Sequence, residues 1–157
     1  MLVVDGSYLP GTNIATASWV MAGPTGTATA VGYSRLPDGN NDNDPYRAEI
    51  FGLCLALTFL HLLHRHDPTL HGKIVVSCDN DEALRHGIEY ALWPRTQTSH
   101  FDLLATLHRL RGKIPFSLKP KRVKGHQDDN KQLQLTRLEE LNVIADEAAR
   151  TLANKIE

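Results

Sequence analysis

The chain has 157 residues, 41% hydrophobic and 22% charged, with a formal net charge of −1. That length suffices for one domain (residues 1–157) with a proper core, and the near-neutral balance excludes a surface that is uniformly attractive to polyanions. Two cysteines, Cys54 and Cys78, exclude a disulfide framework and point to a reducing, intracellular compartment.

Strands are predicted at 2–8, 14–22 and 27–36, separated by the turn chemistry of Pro10-Gly11 and Gly23-Pro24-Thr25-Gly26. Three short strands joined by tight turns make an antiparallel meander. The segment AEIFGLCLALTFLHLL predicts a helix over 45–65, with Asp44 as N-cap and Pro45 at the first helical position. KIVVSC (73–78) has the continuous apolar pattern of a strand covered on both faces. Helices follow over 79–92 and 99–111, then a strand over 117–125 and a closing helix over 135–155. In the last helix Leu138, Leu141, Ala145, Ala148 and Leu152 recur at three- and four-residue spacing, one stripe for the core. Strands first, then strands alternating with helices, predict an α/β fold with a mixed sheet. No membrane span is expected, because no apolar run approaches the ~18 residues a bilayer requires.

Charge is unevenly spread. Seven basic residues and no acidic one lie between Leu103 and Gln127 (Arg109, Arg111, Lys113, Lys119, Lys121, Arg122, Lys124), whereas DGNNDND (38–44) carries three aspartates and no base. A basic stripe beside an acidic centre suits a metal-using enzyme that handles nucleic acid. Asp5 is the sole charged residue among the first 34 and ends an apolar strand. A carboxylate there needs a partner or a raised pKa. Glu49 stands among apolar neighbours at the start of the first helix, Asp79 follows the VVSC strand, and Asp146 interrupts the Ala- and Leu-rich last helix. Taken singly, each has a bland explanation as a helix-terminal charge, a cap or a flank residue. Taken together they are less easily dismissed, since strand C-termini in an α/β sheet gather at one edge. Four converging carboxylates would repel unless divalent cations joined them, and oxygen ligands suit Mg²⁺ or Mn²⁺. His61 and His64 fall on the predicted helix, His66 and His71 flank a proline turn, and no cysteine pair joins them into a zinc site. DGNNDND lacks a glycine and a closing glutamate at the spacing a calcium loop requires.

The ordered set VVDGSY, RAEIFGLCLAL, VVSCDNDEAL, VKGHQD and NVIADEAAR resembles the type 1 ribonuclease H family, including the ribonuclease H domains of reverse transcriptases, over nearly the whole chain. The resemblance implies a five-stranded mixed sheet with strands 1–3 antiparallel. It also implies hydrolysis of the RNA strand of RNA–DNA hybrids with two Mg²⁺ ions, for which Mn²⁺ can substitute. Asp5 would be shared by both metals, Glu49 and Asp79 would hold the one on the leaving-group side, and Asp146 the one that activates water. His126 would assist proton transfer or product departure, and Asn142 would orient the site. Substrate contacts are expected from Arg47, Asn80, Lys121, Arg122 and Lys124. The chain departs from the family at Asp44-Pro45-Tyr46, where a polar trio often contacts RNA. It departs again in the twenty residues from His126 to Asp146, a longer interval than usual. Two alternatives stand beside this reading: a DNA-directed nuclease or polynucleotidyl transferase of the same superfamily, and a silent domain that binds nucleic acid or protein. A monomer is expected, and the short lead before Asp5 suggests a domain of a larger polyprotein with a reverse transcriptase.

Overall fold

A computed structural model describes residues 1–23, 28–37, 42–123 and 136–156. Five strands form one sheet in the order β3-β2-β1-β4-β5. They are β1 (Leu2–Leu9), β2 (Ile14–Ala22), β3 (Ala28–Arg35), β4 (Gly72–Ser77) and β5 (Phe116–Pro120). The β1–β2 and β2–β3 pairs are antiparallel, and β1–β4 and β4–β5 are parallel. This is the mixed sheet that the sequence predicts.

Helix α1 (Pro45–His66) begins as expected, with Asp44 Oδ1 accepting from the Arg47 N–H at 2.6 Å and Pro45 in the first turn. By length and composition α1 also meets the requirement for crossing a bilayer. Here its apolar window is half buried, with Ile50, Leu53, Leu57 and Leu60 enclosed together with Leu2, Val4 and Val76 of the sheet. Helix α3 (Phe101–Lys113) completes that layer through Leu104 and Leu107. Helix α4 (Arg137–Ile156) covers the opposite face, where Leu138, Leu141 and Ala145 pack on Val3, Val20 and Ala22. Strand alternation accounts for the split: Leu2 and Val4 point to one layer, Val3 to the other.

Two elements are shorter than predicted. The helix expected over 79–92 is α2 (Asp81–Leu84) followed by one π-helical turn, Arg85–Glu89. Gly87 packs so closely on α3 that a Cβ there would lie 2.6 Å from Leu107 Cδ2, so tertiary packing sets the path of this segment. The strand expected over 117–125 ends at Pro120, which pairs with Val76 at the end of the β4–β5 ladder.

Candidate metal centre

Asp5 projects from β1 on the α4 side, in register with Ser18 of β2. The next residue explains how Glu49 reaches it. A Cβ at Gly6 would sit 2.7 Å from Glu49 N and 2.8 Å from Ala48, so only glycine lets the start of α1 lie this close to β1. The Gly6 N–H donates to the Glu49 carboxylate. Glu49 falls beyond the first turn of α1, which contains no acidic residue, so a role as a helix-terminal charge does not apply.

Asp79 arrives from the C-terminal end of β4, which runs parallel to β1, and so emerges at the same sheet edge. It is not the cap of the following helix. That part is taken by Asn80, whose Oδ1 accepts from the Ala83 N–H at 2.9 Å. Asn80, expected to touch substrate, thus spends one side-chain acceptor inside the fold, and the Asp79 carboxylate stays available to the cluster.

One oxygen each from Asp5, Glu49 and Asp79 lie within 4.8 Å of one another. Asp5 is 3% exposed and Glu49 5%, and Asp5 Oδ2 and Glu49 Oε2 have no hydrogen-bond partner among the described residues. Burial pushes the Asp5 carboxyl up to about 8, reinforced by Asp79 and Asp146. Burial likewise raises Glu49 well above the usual carboxylate range, with Asp5 and Asp79 adding to it. Asp146, buried on α4, shares a side-chain hydrogen bond with Asp5, and its Oδ1 lies 2.9 Å from Arg150 Nε. Asn142, one turn earlier, is 3% exposed with its Oδ1 unpartnered among the described residues. Buried carboxylates with unpartnered oxygens cost free energy unless a cation or proton compensates them. The donor set is all oxygen, as Mg²⁺ or Mn²⁺ requires. Among the described residues no second group of His, Cys, Asp and Glu side chains gathers in this way.

The expected substrate contacts are more dispersed. Arg47 faces α3 and forms a bidentate pair with Asp102, Nη1 donating to Oδ1 at 2.9 Å and Nη2 to Oδ2 at 2.7 Å. Beside it His100 Nε2 meets Asp44 Oδ2 at 2.8 Å, so the starts of α1 and α3 are tied together twice. Lys121 and Arg122 are exposed after β5, and Arg122 Nε pairs with Asp81 Oδ1 at 2.8 Å. His126 and Lys124 lie outside the described residues. The residues that hold this end of the fold but escaped sequence reasoning are His100, Asp102 and Arg150. The first two act across more than fifty residues, with no local pattern to mark them. Arg150 stands four residues after Asp146 and was legible as an i,i+4 pair.

No protein-family model matches the chain, and no curated protein matches it. Solved structures do. LC11-RNase H1 in complex with an RNA/DNA hybrid aligns with TM-score 0.71 and 16% identity, over 99% of this chain and 96% of that one. RNase H1 from the halophilic archaeon Halobacterium salinarum aligns with TM-score 0.63 and 15% identity, over 96% of both chains. The N-terminal RNase H domain of rv2228c from Mycobacterium tuberculosis gives 0.63 and 14%, over 99% of this chain and 98% of that one. The chain has the type 1 ribonuclease H fold.

Proposed function

We propose that this chain is a divalent-metal-dependent endoribonuclease that hydrolyses the RNA strand of RNA–DNA hybrids. The observation that carries the reading is the convergence of Asp5, Glu49 and Asp79, with oxygens within 4.8 Å. These carboxylates come from β1, α1 and the end of β4 in a fold whose solved neighbours include a hybrid-bound RNase H1.

Asp5, Glu49, Asp79 and Asp146 would hold Mg²⁺, with Mn²⁺ an adequate substitute. When bound, two such ions activate water and stabilise the leaving oxygen of a phosphodiester. The chain contributes a rigid carboxylate frame that excludes bulk water from Asp5 and Glu49. It also supplies cations for the phosphate backbone at Lys121, Arg122 and Lys124. His126 serves as a proton carrier that touches no metal. Asn142, whose Oδ1 has no partner among the described residues, orients that end of the site one turn before Asp146. Arg47 supports substrate binding through its pair with Asp102, which fixes the approach surface at the head of α1.

The test is a labelled RNA–DNA hybrid incubated with the chain and Mg²⁺ or Mn²⁺, beside duplex DNA, duplex RNA and single-stranded RNA. Cleavage confined to the RNA of the hybrid is expected. Cleavage of duplex DNA would favour the DNA-directed reading, and binding without cleavage would mark a silent domain.

A further inference from the structure

The α4 face of the sheet carries two polar side chains where apolar ones would be expected. Thr16 and Ser18 of β2 are both fully buried, on the face that also holds Val20 and Ala22. Each donates its hydroxyl to a main-chain oxygen of α4: Thr16 to Ala149 at 2.8 Å, Ser18 to Ala145 at 2.5 Å. The geometry matches from both sides. Two residues along a strand span about 6.7 Å, and four along a helix about 6 Å, so the pair of hydroxyls reads successive turns of α4. The apolar part of that contact is Leu138, Leu141 and Ala145 on Val3, Val20 and Ala22, all buried. Apolar burial of this kind is non-directional and resists sliding along the helix axis weakly. A hydrogen bond fixes distance and angle.

The two anchors differ in what lies next to them. Ser18 is the direct cross-strand partner of Asp5, whereas Thr16 pairs with Ser7. Ala145, held by Ser18, immediately precedes Asp146. Ala149, held by Thr16, lies a turn further on. One residue therefore links both sides of the Asp5–Asp146 contact: its backbone is paired in register with Asp5, and its hydroxyl holds the carbonyl of the residue before Asp146.

We propose that Ser18 is the positioning residue of the carboxylate cluster, setting the height of α4 so that Asp146 meets Asp5 at the separation a shared cation requires. This rests on the metal-dependent reading above. Groups that orient metal ligands from behind change metal affinity by about ten- to a hundredfold when removed, and Ser18 acts one peptide away from its ligand, so the lower end applies.

The experiment compares Ser18→Ala, Ser18→Thr and Thr16→Ala in the full chain. Mg²⁺ and Mn²⁺ binding is read by calorimetry, the metal-free thermal midpoint by scanning, and hybrid cleavage as KM and kcat across Mg²⁺ concentration. Ser18→Ala should weaken metal binding about tenfold and lower kcat at limiting Mg²⁺, with recovery in excess metal and unchanged KM for hybrid. Thr16→Ala should lower the metal-free midpoint comparably yet bind metal within about twofold of the wild type, because it removes the same bond away from Asp146. Ser18→Thr, which restores the hydroxyl, should restore affinity. Should the alanine chain not fold, Ser18→Cys keeps the size with a weaker donor and should fall between. Equal metal affinity in Ser18→Ala and Thr16→Ala, or no loss in the former, would reduce Ser18 to a structural contact. Absence of metal binding by the wild type would instead overturn the metal-dependent reading, and this inference with it.

Discussion

Asp5→Asn should stabilise the chain in the absence of metal, although it removes the most central side chain of the site. In the folded chain burial, Asp79 and Asp146 together raise Asp5 from 3.8 to about 8. The unfolded chain has no such environment, so near neutral pH it releases a proton that the folded chain retains. A raised folded-state pKa is a contribution fully present below 3.8 and lost progressively as pH climbs to about 8. Each pH unit in that window is worth about 1.4 kcal/mol, so by pH 7 the loss is about 4 kcal/mol. Asparagine keeps the shape and cannot ionise, which abolishes this term. Its buried amide costs about 1–3 kcal/mol where imperfectly paired, leaving a net gain of about 1–3 kcal/mol. For a domain of this size that is roughly 2–12 °C in thermal midpoint. Scanning calorimetry in EDTA from pH 4 to 9 measures it: the wild-type midpoint should fall relative to the variant across this range, with little or no advantage for the variant at pH 4. Glu49 is raised by the same causes, so the variant keeps part of the slope. Added Mg²⁺ should stabilise the wild type, rising with the logarithm of its concentration once that exceeds Kd, and narrow the gap. A pH-independent gap, or a variant less stable at pH 8, would refute the claim that Asp5 is a carboxylate held against its own charge.

Gly6→Ala should destabilise the chain by about 2 kcal/mol or more and weaken metal binding, because the new methyl meets Ala48 and Glu49 at 2.7–2.8 Å. Chemical denaturation with a metal titration checks both, and a wild-type metal affinity would show that the close approach of α1 does not set Glu49. Arg150→Gln should tighten Mg²⁺ binding roughly three- to tenfold, the effect of removing about 1 kcal/mol of cation–cation repulsion in a partly wet site, while loosening Asp146 in the metal-free chain. Calorimetry reads the sign, and weaker binding would make Arg150 a support of Asp146 rather than a competitor for it. Neutralising Lys121, Arg122 and Lys124 together should raise KM for hybrid and flatten its salt dependence with little change in kcat, since each lost phosphate contact removes counterion release. An unchanged salt slope would place the substrate elsewhere.

Much of this was legible because the signals are local. Asp44-Pro45 is a cap and first-turn pair that works the same way in any context, and α1 starts where it says. The isolation of Asp5 in an uncharged stretch pointed to a site because a lone buried carboxylate has a cost that must be met. The helix predicted over 79–92 is longer than the real one because close packing on Leu107 and Leu53 at Gly87 is a tertiary constraint with no local mark. Asp79 looked like a cap, but its neighbour Asn80 does that job. Least visible was the support of the site. Thr16 and Ser18 read as ordinary strand residues, and their bonds to α4 span 133 and 127 positions. The Arg47–Asp102 pair is likewise set by the meeting of α1 and α3, which no periodicity announces.

The central claim is that the buried carboxylates are a metal site that cleaves RNA in a hybrid. The direct measurement is the rate of cleavage of an end-labelled RNA strand paired to DNA, by the wild type in Mg²⁺ and in EDTA, and by Asp79→Asn and Asp146→Asn in Mg²⁺, with folding of each chain confirmed by circular dichroism. Cleavage by the wild type in Mg²⁺ alone is expected, with rates at least about a hundredfold lower in both variants, comparable with the loss of a group that stabilises developing charge. Wild-type turnover in EDTA, or near-wild-type turnover by either variant, would contradict it.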